Sequence, residues 1–280
     1  MEQLSEQIKN KMRLLGVKLP KKEQKTDNSK CPICQDIHFV FLADGSVRPC
    51  QCQAGQQRDL LRQKANLSPA IAEMTFDKFN IAYYPLQAIA EQSPITYHAK
   101  ALQIKKAAEQ FVEQVIAGKQ RRGILLSGRV GCGKTFLAAC MANRLLDAGI
   151  ETLFLVVPDF LDEIKSTYDT NESEVSEKNV LDKARTAKVL MMDDLGAHNY
   201  SEWASNKIYS SLNYRLNEGL PTVITTNLGM PEIEAYLGER TSSRIIALCD
   251  TYRLFSDKDI RISQYQQLVK NNNNRVVLDK

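Results

Sequence analysis

No apolar run in the chain approaches the roughly 20 residues that a helix needs to cross a bilayer, which argues against a helical membrane anchor. The opening Met1-Glu2-Gln3-Leu4-Ser5-Glu6 lacks the charged and apolar regions of a signal peptide. Both absences point to a cytoplasmic protein with no membrane partner. Internal repeats are absent as well, and the one low-complexity piece, Asn271 to Asn274, reads as a frayed tail. In a reducing compartment the seven cysteines speak for metal ligands or free thiols rather than disulfides.

What is present suits one substantial core and a smaller module: 280 residues, 43% hydrophobic and 25% charged. The net charge of +4 is unevenly spread, because residues 1–70 carry 12 Lys/Arg against 7 Asp/Glu. Lys18, Lys21, Lys22, Lys25 and Lys30 supply most of that excess in a linker-like stretch. Such an arm either solubilises the chain or contacts nucleic acid or an acidic partner. Ahead of it, Leu4, Ile8, Met12 and Leu15 recur at helical spacing, and Gly16 is placed to stop the helix. That one-sided stripe needs a cover, either its own domain or, the favoured reading, a groove on another protein.

The most specific stretch is Gly128-Arg129-Val130-Gly131-Cys132-Gly133-Lys134-Thr135, which spells the phosphate loop G-x-x-x-x-G-K-[ST]. Its glycines let the backbone turn N–H groups toward phosphates, Lys134 can bridge β and γ oxygens, and the Thr135 hydroxyl can coordinate Mg²⁺. The flanks agree. Gly123 to Ser127 has the length and apolarity of a buried strand, and Phe136 to Leu146 is a run of helix formers closed by Gly149. ATP binding is therefore expected.

Magnesium held by phosphates is commonly also held by a carboxylate on a neighbouring strand. Val189-Leu190-Met191-Met192 reads as a buried parallel strand, with Asp193 emerging at its carboxyl edge and Asp194 placed to polarise an attacking water. A further strand, Thr222 to Thr226, ends in Asn227, whose amide can orient that water or sense the γ-phosphate. With Thr152 to Val157, the helix after Pro158, and a helix from Glu202 to Glu218, strands and helices alternate. The pattern predicts an α/β fold, a parallel sheet with helices on both faces. A helix from Ala99 to Ile116 leads into it, preceded by a polar helix over Gly55 to Ala65 and a short one opened by Ser68-Pro69.

Four cysteines fall in two close pairs, Cys31-Pro32-Ile33-Cys34 and Cys50-Gln51-Cys52, with fifteen residues between. Facing knuckles of this kind place four thiolates tetrahedrally around Zn²⁺. The stretches Phe39 to Leu42 and Ser46 to Arg48, around Asp44-Gly45, read as the hairpin that unites them. His38 is an available substitute ligand but reads as a neighbour. Four protein ligands leave no open position, so the zinc would be structural.

The phosphate loop, Asp193-Asp194, Thr225-Thr226-Asn227-Leu228 and the later Gly238-Glu239-Arg240-Thr241-Ser242-Ser243-Arg244-Ile245 together resemble the AAA+ ATPases of the DnaC/DnaI helicase-loader group, with IstB as close kin. The resemblance runs from about Thr75 to Arg261. It implies that Arg244, with Arg240 as second candidate, is an arginine finger reaching a neighbouring subunit's ATP, hence self-association through the ATP site. It implies an adenine pocket lined by Phe76 and Phe79, with Phe136 following the loop. It implies a DNA-facing element from Val156 to Asp169, in which Tyr168 stacks on a base and Lys165 meets phosphate. Asp257 to Arg261 resembles the segment that closes the family's core.

Only 35 residues follow Ile245, too few for a separate helical lid, so the lid's sensor arginine is expected to be absent; neither Arg253 nor Arg261 is assigned that role. The expected organisation is a partner-binding module over 1–70, a connector over 71–98, the AAA+ domain over 99–265 and a tail over 266–280. The expected function is ATP-dependent loading of a replicative hexameric helicase onto single-stranded DNA, with slow, partner- and DNA-stimulated hydrolysis. Two alternatives stand beside it: a transposition helper that binds DNA and recruits a transposase, and a binding switch with negligible hydrolysis.

Overall fold

The computed structural model describes residues 31–42, 46–89, 95–167, 177–197 and 200–278. The N-terminal stripe, the lysine-rich arm, Asp44-Gly45, Tyr168 and Asp169 lie outside the described residues. The chain divides into two compact units, Met1–Asp59 and Leu60–Lys280.

In the first unit β1 (Phe39–Phe41) and β2 (Val47–Pro49) pair antiparallel, with Val40 opposite Arg48. The expected hairpin is therefore formed. Helix α1 (Gln51–Lys64) begins in this unit and ends in the second; it starts four residues earlier than the polar pattern suggested and takes Cys52 into its first turn.

In the second unit α2 (Pro69–Ala72) is a single turn capped by Ser68, whose hydroxyl accepts from the Ile71 N–H. Two 3-10 turns follow, then α3 (Tyr97–Ile116), capped by Thr96. From there β3 (Gly123–Ser127), α4 (Lys134–Asp147), β4 (Thr152–Val156), α5 (Val157–Ser166), α6 (Glu177–Thr186), β5 (Val189–Leu195), α7 (Glu202–Asn217) and β6 (Thr222–Thr226) follow, alternating as expected except that α6 is an additional helix before β5. The chain goes on through α8 (Met230–Leu237), α9 (Glu239–Leu248), β7 (Cys249–Arg253) and α10 (Ile260–Leu278).

All five strands of the main sheet are parallel, in the order β4-β5-β6-β3-β7. Alternate residues of each inner strand serve opposite faces. Ile124 and Leu126 of β3 and Val189 and Met191 of β5 pack with α3 and α4. Leu125, Leu190 and Met192 pack with α5, α6, α7 and α9 on the other side. Two apolar layers therefore enclose the sheet, which explains strands that are apolar on both faces.

One wholly buried cation ties the second layer together. Arg215 of α7 donates to the carbonyls of Ala184, Arg185, Ala187 and Pro221 and to the Thr222 hydroxyl, and burial pushes its pKa down to about 9.

One strand was not expected, and one expectation is corrected. Strand β7 gave no apolar signal because it is an edge strand whose Asp250, Thr251 and Arg253 are exposed. The asparagine run is not a frayed tail: Asn271 to Asn274 continue α10, which extends to Leu278. Among the described residues this single helix follows β7, and no lid bundle is present. No helix among them is long and apolar enough to cross a membrane.

Candidate functional site

Strand β3 lies between β6 and β7, one strand in from the sheet's side, and the loop that follows it opens at the sheet's carboxyl edge. That loop is held from several sides. Tyr84, buried against it, donates to the Cys132 carbonyl at 2.7 Å, and the Ile260 N–H donates to the Gly131 carbonyl at 2.9 Å. Glycine is required by both conformation and space. Gly131 has φ +72°, and a β-carbon there would sit 2.0 Å from the Asp259 carboxylate carbon; at Gly133, φ +98°, it would meet the Tyr84 hydroxyl at 2.7 Å.

Lys134 is buried, and its ammonium donates to the Gly128 and Arg129 carbonyls at 3.0 Å each and to Asn227 Oδ1 at 2.7 Å. Cys132, also buried, lies 3.9 Å away through its sulfur. Burial pushes the Lys134 pKa down and the Cys132 pKa up. None of these partners is a carboxylate, so the lysine charge has neutral acceptors only. That is the arrangement a polyphosphate would complete.

Thr135 donates to both oxygens of Asp193, at 2.9 and 3.1 Å, and Thr225 donates to Asp193 Oδ1 at 2.6 Å. Burial raises the Asp193 pKa, and the two hydroxyls partly offset it. Neighbouring strand residues normally face opposite sides of a sheet, yet Asp193 and Asp194 both reach this edge. The cause is a register shift between Met192 and Leu195, with Asp194 at φ +60° and its N–H bonded to Thr225 Oγ1 at 3.0 Å. The Asp194 carboxylate then accepts from Asn227 Nδ2 at 3.1 Å. Asn227 thus bridges Lys134 and Asp194, one amide end to each. Thr225 carries this geometry through two bonds, and its sequence, one of two consecutive threonines, did not mark which would face the acids.

The arginines of α9 lie apart from this cluster. Neither Arg240 nor Arg244 hydrogen-bonds to the phosphate loop, Asp193, Asp194 or Asn227, and neither pairs with Glu234 or Glu239. Arg244 Nε donates to Asn213 Oδ1 of α7 at 2.8 Å, which fixes the guanidinium and leaves its two terminal nitrogens without a hydrogen bond. Arg240 is exposed.

The model of the family described as IstB-like ATP binding protein matches residues 77–252. The chain belongs to this family. Among curated relatives, the replicative helicase loader DnaI of Bacillus subtilis (strain 168) is 32% identical over 114 residues, 40% of this chain and 35% of that protein. The replicative helicase loader DnaC of Escherichia coli (strain K12) is 30% identical over 138 residues, 49% of this chain and 55% of that protein. The chain thus spans about a third to a half of the length of these relatives. A crystal structure of DnaI superposes with a TM-score of 0.53 at 26% identity, over 69% of this chain and 94% of that one. The fold of the IstB-like chain is accordingly that of the AAA+ proteins.

Elsewhere in the IstB-like unit the two phenylalanines expected at an adenine pocket separate. Phe79 is buried against the loop, packed at a tilt on Tyr84 and Phe136 at centroid distances of 5.8 and 5.9 Å. Phe76 instead lines a different cleft of about 410 Å³, with Glu109, Asn143 and Arg144. Arg129, Val130 and Asn227 border a cleft of about 430 Å³ together with Asp257, Lys258 and Asp259. Arg261 is engaged with Asp259 and Arg253 lies over Phe255, so neither reaches into the acid cluster. Lys165 is exposed on α5, 3.6 Å from Asp162 and 5.9 Å from the centre of the Trp203 ring.

In the first unit of the IstB-like chain the sulfurs of Cys31, Cys34, Cys50 and Cys52 lie within 4.8 Å of one another. Cys34 and Cys52 are 3.3 Å apart through their sulfurs, and Cys31 and Cys50 3.7 Å. Tetrahedral bonds of about 2.3 Å to zinc separate sulfurs by about 3.8 Å, so the cluster fits such an ion. No cysteine of the chain is in a disulfide. The Cys34 N–H, first among several donors, brings the Cys31 thiol down to about 7, while burial and the neighbouring thiols push the Cys52 thiol up and Cys50 is raised as well. His38 Nδ1 sits 3.5 Å from the Cys52 sulfur, a neighbour of the cluster rather than a fifth member. The short C-x-C spacing has a simple origin: Cys50 ends the hairpin and Cys52 starts α1.

Proposed function

We propose that the chain is an ATP-dependent loader that places a replicative DNA helicase on single-stranded DNA. The observation that carries this reading is a full ATP-site constellation, Lys134, Thr135, Asp193, Asp194 and Asn227, in a chain similar to proteins named replicative helicase loaders. A separate N-terminal unit with four clustered thiols suits the gripping of a partner.

ATP with Mg²⁺ supplies the chemistry, transfer of the γ-phosphoryl group to water. Residues 128–136 would hold the phosphates, with Lys134 exchanging its two carbonyl partners for phosphate oxygens. Thr135 and Asp193, already joined, are the magnesium pair. Asp194 accepts or orients the proton of the attacking water, and Asn227 fixes that carboxylate while its other end holds Lys134. Phe79, rather than Phe76, backs the base-binding side. Arg244 or Arg240, remote from the acids in their own chain, would stabilise the transferring charge in a second copy. Zn²⁺ at Cys31, Cys34, Cys50 and Cys52 would hold the partner-binding unit in shape.

The family's IstB-like description favours one other reading, a transposition helper that recruits a transposase. Affinity capture from the source cell, with and without ATP, followed by mass spectrometry, separates the two. A hexameric helicase captured by the wild-type chain and lost with Lys134→Ala supports the loader. A transposase in its place, or a helicase captured equally by both chains, overturns it. Hydrolysis that stays at background with helicase and single-stranded DNA both present would leave a binding switch.

A further inference from the structure

Two successive peptide units of the phosphate loop are held through their carbonyls, but their N–H groups are used differently. The Gly131 carbonyl accepts from the Ile260 N–H, and the N–H of the same unit, that of Cys132, is spent within the loop on the Arg129 carbonyl at 3.4 Å. The Cys132 carbonyl accepts from the Tyr84 hydroxyl at 2.7 Å, and the N–H of that unit, that of Gly133, has no acceptor among the described residues. In a trans peptide the carbonyl and the N–H point in opposite directions, and no described peptide bond is cis. The Gly133 N–H is therefore aimed away from the Tyr84 hydroxyl.

Glycine at 133 makes that aim a choice. Flipping the Cys132–Gly133 peptide alters ψ of Cys132 and φ of Gly133, and glycine accepts φ of either sign, so the backbone alone does not select a direction. A donor fixed behind the carbonyl does. Tyr84 is such a donor: it is buried and packs at a tilt on Phe79, which packs in turn on Phe136 in the first turn of α4. Burial pushes the phenol pKa up, so the hydroxyl keeps its proton. Upstream of Tyr84, the carbonyls of Ile71 and Met74 accept from Nδ2 of Asn143, which ties the incoming segment to the far end of the same helix. The segment that brings the donor and the helix that follows the loop are thus built as one piece.

We propose that Tyr84 is a positioning residue for nucleotide binding, whose hydroxyl, by holding the Cys132 carbonyl, presents the Gly133 N–H to a phosphate of the bound nucleotide. The start of α4 supports this, because the helix has no side-chain cap there and its first N–H groups favour negative charge. The inference rests on the reading above that this loop binds ATP.

The sequence contains a single Cys-Gly step, Cys132-Gly133, so isotope labels on cysteine carbonyl carbons and glycine nitrogens select one amide in the NMR spectrum, that of Gly133. In the wild-type chain ADP should move this resonance, and Tyr84→Phe, which removes only the hydroxyl, should reduce the movement at saturating ADP. Titration calorimetry should show Tyr84→Phe weakening ATP and ADP alike, by roughly three- to tenfold, with the far-UV spectrum unchanged. Asn143→Ala is the comparison for a merely structural role: it should lower the midpoint of urea unfolding and leave both affinities within about twofold of wild type. Wild-type affinity in Tyr84→Phe, a Gly133 resonance that bound ADP does not move, an undiminished movement in Tyr84→Phe, or an equal loss of affinity in Asn143→Ala would each overturn the positioning role. A wild-type chain that binds neither ATP nor ADP would instead overturn the ATPase reading itself.

Discussion

The Thr135 hydroxyl donates to both carboxylate oxygens of Asp193, joining the end of the phosphate loop to the end of β5 without a bound ion. The two groups that would share a magnesium ion are thus within reach of each other beforehand. Thr135→Val should therefore weaken ATP binding in the presence of Mg²⁺ by roughly tenfold or more, about 1.4 kcal/mol. Binding in EDTA should change much less. Equal losses with and without the metal, by isothermal titration, would remove the magnesium role.

Lys134→Ala should abolish ATP binding and leave the chain folded. The lysine's partners are two carbonyls and Asn227, all at a loop that solvent can reach once the side chain is gone. Equilibrium dialysis with a labelled nucleotide and a far-UV spectrum decide it, and an unchanged affinity would refute the assignment.

Arg244→Ala should keep ATP affinity and lose stimulated hydrolysis. Asn213→Ala should give a milder loss of the same kind, because it frees Nε while keeping the guanidinium. If Arg244→Ala hydrolyses normally and Arg240→Ala does not, the finger is one helical turn earlier.

One Zn²⁺ per chain is expected by metal analysis, lost on replacing Cys31 and Cys34 together. ATP affinity should survive that loss, since every ATP-site residue belongs to the second unit. A folded, metal-free wild-type chain would leave the four sulfurs as plain thiols.

Arg215→Met should destabilise the second unit by on the order of 3 kcal/mol, because several buried carbonyls lose their donor at once. The midpoint of urea unfolding measures this. A change under about 1 kcal/mol would mean that water replaces the guanidinium.

The phosphate loop, the Asp193 strand and Asn227 were legible because phosphate and metal demand fixed residue types next to apolar strands, and that demand is local in sequence. Tyr84 and Asn213 were not, because their bonds cross 48 and 31 residues and nothing beside either residue marks it. The register shift at Asp194 was equally hidden, since the residue that takes the positive φ is an aspartate and Gly196 beyond it reads as an ordinary strand end. Phe76 and Phe79 illustrate a finer limit: three residues apart in a short irregular segment, one lines a cleft and the other is buried against Tyr84 and Phe136, and periodicity has no hold on such a stretch. Edge strand β7 escaped detection for its polarity, and the asparagine run disguised the continuation of α10.

At about 1.5 Å per residue, α10 is a rod about 28 Å long, fastened at its first turn to the phosphate loop through Ile260 and Gly131. A tilt of about 10° at that fulcrum would carry its far end through about 5 Å. Whatever grips the rod's outer end therefore has mechanical leverage on the loop that holds the nucleotide, and the nucleotide has the same leverage in return.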